Sequence, residues 1–157
     1  MSTRTGSCLC DGVKVVIEGA PVWSSLCHCT SCQKSSGGTF SPLAVFKTSV
    51  CIQCQAQFPF SHAYCIHKII MIWTDNTYND TSPESGRILK RMFCGRCGSS
   101  LGGIRGGSED TTIILIGLLN GDKSDLRPQF EFFHKSKVDW IAPMEGSQCF
   151  ECLPPES

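Results

Sequence analysis

No apolar run in this chain is long enough to cross a bilayer. The longest are Ile66 to Trp73, with Lys68 inside it, and Ile113 to Leu119; both fall well short of the roughly 20 residues a spanning helix needs. No membrane partner is expected. The amino-terminal Met1-Ser2-Thr3-Arg4-Thr5-Gly6-Ser7 is polar and lacks the apolar core and cleavage site of a secretory signal, so a reducing, cytoplasmic location is expected. Excess charge is missing too: 14 Lys and Arg balance 14 Asp and Glu. Proteins that wrap nucleic acid carry a basic stripe and an alkaline pI, whereas this chain has a pI near 6.9 and scattered basic residues, so no nucleic acid partner is expected. Long helical periodicity is absent as well. Gly102-Gly103 and Gly106-Gly107 break the chain just where a helix after Cys97 would start.

What remains reads as β-structure. Val13 to Gly19 is rich in β-branched residues and bounded by glycine, Thr111 to Leu119 ends in the turn signal Asn120-Gly121, and Phe130 to Phe133 is a third candidate strand. With 41% hydrophobic residues the chain can build one core, and its length suits a single domain. The expected fold class is mainly β.

Cysteine, in contrast, is abundant: twelve residues, seven of them in three tight clusters. These are Cys8-Leu9-Cys10, Cys27-His28-Cys29 with Cys32, and Cys94-Gly95-Arg96-Cys97. Zinc asks for four ligands on a tetrahedron with sulfur about 2.3 Å from the metal, and short turns with one or two residues between cysteines bring thiolates that close. Gly12, Gly95 and Gly98 are placed to supply the positive φ of such knuckles. Two knuckles make one closed site, so Cys8, Cys10, Cys94 and Cys97 form the expected structural zinc centre, clamping the amino terminus onto the second half. Cys27, Cys29 and Cys32 then leave one coordination position open, which is how zinc is held when it does chemistry. Two zinc ions per chain follow. The alternative for so many cysteines is a disulfide framework, which belongs to secreted proteins. Arg87, Lys90, Arg91 and Arg96 cluster near the third block, and we read them as balancing the double negative charge of a four-thiolate zinc centre rather than as an anion site.

The same residues carry a resemblance. Gly6 to Cys10, Cys27 to Gly38 and Arg91 to Leu101 resemble, in order, the three signature blocks of the glutathione-dependent formaldehyde-activating enzyme (GFA) and centromere protein V family, with weaker similarity through Gly117 to Asn120 and Phe130 to Trp140. The resemblance implies an Mss4-like fold of stacked, twisted antiparallel sheets stapled by zinc, with a domain over 4–145 and a tail over 146–157. It implies the same division of ligands, the first and third blocks holding structural zinc and the middle block catalytic zinc. The activity it implies is that of a carbon–sulfur lyase forming or cleaving S-hydroxymethylglutathione-like adducts, with a glutathione-like thiol and an aldehyde as small-molecule partners. Two departures stand out. Family members commonly have glycine directly after the second cysteine, whereas here Asp11 intervenes before Gly12, and aspartate tolerates left-handed backbone. The stretch from Thr48 to Ile72 lengthens the gap between blocks and reads as an insertion, a lineage-specific hairpin or translated intron sequence. It carries Cys51, Cys54, His62, Cys65 and His67, which leaves a third zinc site as the competing reading.

At the open centre, zinc could keep an incoming thiol ionised or polarise the aldehyde oxygen. Three thiolates leave a net charge of minus one, which blunts Lewis acidity and favours thiol handling. His28 could relay a proton, although a residue between two ligands usually points away from the metal. Lys34 could meet a carboxylate or simply be solvated, and His134 is expected at a surface or core edge. A non-catalytic, zinc-stabilised interaction module is the alternative function.

Overall fold

The computed structural model describes residues 3–47, 52–53, 63–66, 69–72, 76–108 and 110–153, with the three short middle segments described as backbone strands only. The fold is mainly β. Thirteen strands run in chain order: β1 (Thr3–Ser7), β2 (Lys14–Glu18), β3 (Trp23–Cys27), β4 (Ser41–Lys47), β5 (Ile52–Gln53), β6 (Ala63–Ile66), β7 (Ile69–Ile72), β8 (Thr77–Asp80), β9 (Leu89–Phe93), β10 (Ser100–Arg105), β11 (Thr111–Leu115), β12 (Phe130–Phe132) and β13 (Gln148–Phe150). Among the described residues one α-helix, α1 (Thr30–Ser36), sits between β3 and β4.

The strands form two sheets. The larger has eight strands in the order β13-β12-β3-β4-β11-β10-β9-β8, and the smaller has five in the order β1-β2-β5-β7-β6. Pairing is antiparallel except that β12 lies parallel to β3 and β13, and β5 parallel to β7. Side chains alternate between the faces of a strand, and this alternation sorts the core. On β2, Val15 and Ile17 are buried while Lys14 and Val16 are less so. They pack with Ala44 and Phe46 of β4, Met92 of β9 and Ile114 of β11 between the two sheets. The intervening residues Leu43, Ile113 and Leu115 belong to a second cluster with Phe132 and Phe133. The large sheet is therefore apolar on both faces.

Two local readings change. The run from Thr111 does not stay extended to Leu119: the strand stops at Leu115 and residues Ile116–Leu118 form a 3-10 turn. That turn carries the chain to the small sheet, where Leu119 bridges Gly6 and the Asn120 amide donates to the Thr5 carbonyl at 2.8 Å. Helix α1 has no periodic signature because seven residues give barely two turns. It is delimited by its ends, with Cys29 accepting from the Cys32 amide as the amino-terminal cap. The insertion expected near 48–72 contributes β5, β6 and β7 to the small sheet beyond β2. Cys51, Cys54, His62 and His67 lie outside the described residues, and Cys65 is described only as backbone of β6. Among the described residues no helix is long and apolar enough to cross a membrane.

Gly102 shows how tightly β10 is packed. A Cβ there would stand 2.0 Å from the Ile113 carbonyl oxygen. Gly102→Ala should therefore cost about 2 kcal/mol or more of stability, whereas Gly117→Ala, whose Cβ would meet nothing within 4 Å, should shift it by no more than about 0.5 kcal/mol. Urea denaturation of the two variants checks this; equal midpoints would mean that β10 relaxes freely.

Candidate metal centres and active-site cavity

The first centre is built from two turns 84 residues apart in sequence. The Sγ atoms of Cys8, Cys10, Cys94 and Cys97 all lie within 4.8 Å of one another, with Cys8 to Cys10 at 3.6 Å and Cys10 to Cys94 at 3.8 Å. A tetrahedron with sulfur about 2.3 Å from its centre has edges of about 3.8 Å, so the donors fit zinc without rearrangement. Each turn supplies its own support. The Val13 amide donates to Cys8 Sγ at 3.2 Å, the Cys94 amide to the Ser99 carbonyl at 2.9 Å, and the Gly98 amide to the Cys94 carbonyl at 2.8 Å.

The glycines of these turns act differently from the expectation. Only Gly98, at φ 74°, and Asp11, at φ 55°, take left-handed backbone. Gly12 and Gly95 matter for space instead: a Cβ would stand 3.2 Å from Cys10 Sγ in the first case and 1.7 Å from Asn76 Nδ2 in the second. The Ser99 hydroxyl and backbone pull the Cys97 thiol down to about 5.

Cys27, Cys29 and Cys32 make the second centre, their sulfurs again within 4.8 Å and all buried. Cys27 closes β3, Cys29 caps α1, and Cys32 lies in its first turn, where its amide donates to Cys29 Sγ at 3.4 Å. Ser41 Oγ secures the turn by donating to the Cys32 carbonyl at 2.9 Å. Hydrogen bonds from Cys27 and Cys32 pull the Cys29 thiol down to about 3. Cys27 is pushed far up by its bonds to Cys29 and Cys32 and by burial. Cys32, lowered by Cys27 but raised more by Cys29 and burial, is pushed up to about 11. Ionising one of these thiols opposes ionisation of its neighbours, a repulsion that a shared divalent cation would relieve. Among the described residues no fourth His, Cys, Asp or Glu joins this cluster.

The three cysteines form one wall of a cavity of roughly 70 Å³, whose other walls include Ser35, Ser41, Leu43, Phe132 and Leu153. Arg87, Arg91 and Arg105 also line it, and no Asp or Glu does among the described residues. A broader groove of about 630 Å³ adjoins it, sharing Ser35, Arg91 and Gly102 and bordered by Lys34, Tyr78 and Phe93. These arginines correct the sequence reading. Arg87 and Arg91 face the middle cluster rather than serving the third, because on β9 Leu89 and Arg91 point to this cavity while Met92 points to the other core. Strand alternation around Leu89–Phe93 was the available signal.

Arg91 is held in place. Its Nε donates to Asp80 Oδ2 at 2.7 Å, and Asp80 Oδ1 accepts from the Ser82 amide at 2.9 Å and the Ser82 hydroxyl at 2.6 Å. Arg91 Nη2 is buried and makes no hydrogen bond among the described residues. Burial opposes charge on Arg91, but the Asp80 carboxylate and the Cys32 sulfur outweigh it and raise its pKa.

His28 points away from the cysteine sulfurs, as its position between two ligands implied. It is fully buried, and its Nε2 meets Glu131 Oε2 at 3.0 Å. Glu131 Oε1 accepts from the Met144 amide and from Ser147 Oγ. Glu131 was not foreseen, since a single acidic residue in an aromatic strand carries no motif. Lys34 is exposed on the rim of the groove, and His134 is half-buried beside Glu131.

The fold and site define a mainly β protein with one four-cysteine and one three-cysteine cluster, each of which could hold a metal ion. The chain matches the family model of the glutathione-dependent formaldehyde-activating enzyme over residues 3–136 and belongs to that family. No curated protein matches its sequence.

Two buried carboxyls set an acid limit. Burial raises the Asp80 pKa, but the Ser82 hydroxyl and amide and Arg91 outweigh it. Burial likewise raises Glu131, and the Met144 amide, His28 and Ser147 more than offset it. Both folded-state values lie below the unfolded ones of about 3.9 and 4.3. Their stabilisation is therefore complete above those values and is lost as pH falls through the folded ones. In urea titrations from pH 6 down to 3, the stability gap between the native protein and Glu131→Gln or Asp80→Asn should narrow. A gap constant across that range would contradict the depression.

Proposed function

We propose that this protein is a zinc-dependent carbon–sulfur lyase of the glutathione-dependent formaldehyde-activating type, joining a glutathione-like thiol to a small aldehyde and splitting the adduct, in a reducing cytoplasm. The observation that carries this reading is a three-thiol centre in the wall of a cavity lined by three arginines and, among the described residues, no carboxylate. A pure scaffold needs only the closed centre. In this reading Cys8, Cys10, Cys94 and Cys97 hold a structural zinc and Cys27, Cys29 and Cys32 a second one, two per chain. The working domain is 4–145 joined by β13 and Leu153 from the stretch 146–157 that the sequence offered as a tail, with 48–72 an insertion outside the site.

The reaction balances without an outside oxidant or reductant. The thiol sulfur attacks the carbonyl carbon, a carbon–sulfur bond forms, the carbonyl π pair moves to oxygen, and the proton released by the thiol ends on that oxygen. When bound, zinc supplies the positive charge that keeps an incoming thiol ionised at neutral pH. The remaining work belongs to the chain. The small inner cavity suits a one-carbon aldehyde, and the wider groove beside it suits the body of a peptide thiol. Arg91, with its spare N–H, and Arg87 and Arg105 favour the anionic groups of such a thiol, since charge-assisted hydrogen bonds are worth about 1.5–3 kcal/mol. Leu43, Phe132 and Leu153 keep the inner space dry enough for those charges to count.

Two outcomes test the reading. With glutathione and formaldehyde followed by NMR, Cys29→Ser should abolish adduct turnover and lose one zinc while keeping a cooperative melt. Cys94→Ser should unfold or aggregate, because structural zinc contributes on the order of 10 kcal/mol to small zinc domains. If Cys29→Ser melts as badly as Cys94→Ser, the division of the centres is wrong and the interaction-module reading moves ahead. Separately, Arg105→Ala should raise KM for glutathione about tenfold and leave that for cysteamine, which has no carboxylate, unchanged. Equal effects on both thiols would remove the arginines from thiol selection.

A further inference from the structure

On the strand β12, two aromatic rings and one carboxylate alternate. Phe130 and Phe132 pack with Trp23 and Phe150, and Glu131 points to the other face. Its parallel register partner on β13 is Cys149, so the two side chains emerge side by side on that face. The chain then turns sharply at Phe133, whose φ of 58° is left-handed, and this reversal brings His134 back over the same spot. The carboxylate oxygen, imidazole nitrogen and thiol sulfur of Glu131, His134 and Cys149 all lie within 4.8 Å of one another.

Hydrogen bonding leaves this group incomplete. A carboxylate offers about four acceptor sites, and Glu131 uses three, for His28, the Met144 amide and Ser147. His134 Nε2 is buried and, among the described residues, has no hydrogen-bond partner. Cys149 is a free, exposed thiol. A carboxylate with a lone pair to spare, an imidazole with one nitrogen unpartnered among the described residues, and an exposed thiol therefore converge. Carboxylate, imidazole and thiolate are together the donor set of a borderline divalent ion.

We propose that Glu131, His134 and Cys149 form a third metal-binding site, separate from both cysteine centres, that takes a divalent ion of the zinc type with water completing its coordination. The exposed Cys149 makes the site accessible to solvent, so it exchanges metal more readily than the buried centres. It shares Glu131 with His28, which lies between Cys27 and Cys29, and so sits directly behind the catalytic cluster. This site does not depend on the function proposed for that cluster.

Equilibrium dialysis of reduced, full-length protein against excess zinc tests it, with metal counted per chain. The native protein should bind one more zinc than His134→Ala and one more than Cys149→Ser, both made at partly exposed positions that leave the Glu131 network intact. The readout is a difference of one ion, whatever the cysteine centres hold. Cobalt titrated into native protein should add a final, single-thiolate charge-transfer band that Cys149→Ser lacks. Equal zinc counts in the native protein and both variants, or a last cobalt band that survives Cys149→Ser, would overturn the proposal.

Discussion

The alternation of side chains along a strand is the constraint on which the rest of this molecule depends. β4, β9 and β11 lie inside the eight-stranded sheet, and each sends side chains to both of its faces. Ile114 serves the space between the sheets while Ile113 and Leu115 serve the opposite side. The two cysteine centres inherit that division. Cys8 and Cys94 pack with the inter-sheet core, and Cys27, Cys29 and Cys32 pack with the other. A single strand, β9, contributes Met92 to one and Arg91 to the cavity of the other, then runs straight into the turn carrying Cys94. Any change in its register would disturb both centres together.

Within the second centre, secondary structure and ligand geometry are one problem. The thiol of Cys29 caps the helix that holds Cys32, so the first turn of α1 orients two sulfurs at once. Seven residues would not hold a helix alone. Here Ser41 binds the Cys32 carbonyl, Gln33 binds the carbonyls of His28 and Ser136, and Ser100 reaches the Ser35 carbonyl. The cavity wall is thus fixed from three sides.

Behind that wall, Glu131 joins the cysteine turn to the carboxy-terminal segment. Its partners come from β3's end, from residue 144 and from residue 147, and a buried carboxylate left without them would be costly. Asp80 plays the corresponding part on the far side of the cavity, orienting Arg91. Asp80 thus holds a basic side chain beside the three-cysteine cluster, whereas Glu131 holds His28 turned away from it.

By itself the sequence determined the β class, the three cysteine clusters and their division into four and three. Those features are local: β-branched runs, turn residues and short cysteine spacings write the chemistry into neighbouring positions. The left-handed turn at Asp11 was legible for the same reason. Only the tertiary structure decided which face Arg87 and Arg91 occupy, that Arg105 joins them, that His28 turns to Glu131, and that Glu131, His134 and Cys149 meet. Each of these depends on strand pairings between distant segments, such as β12 with β3 and β13. Register between strands is set by how whole faces are buried, so no short stretch of residues carries it.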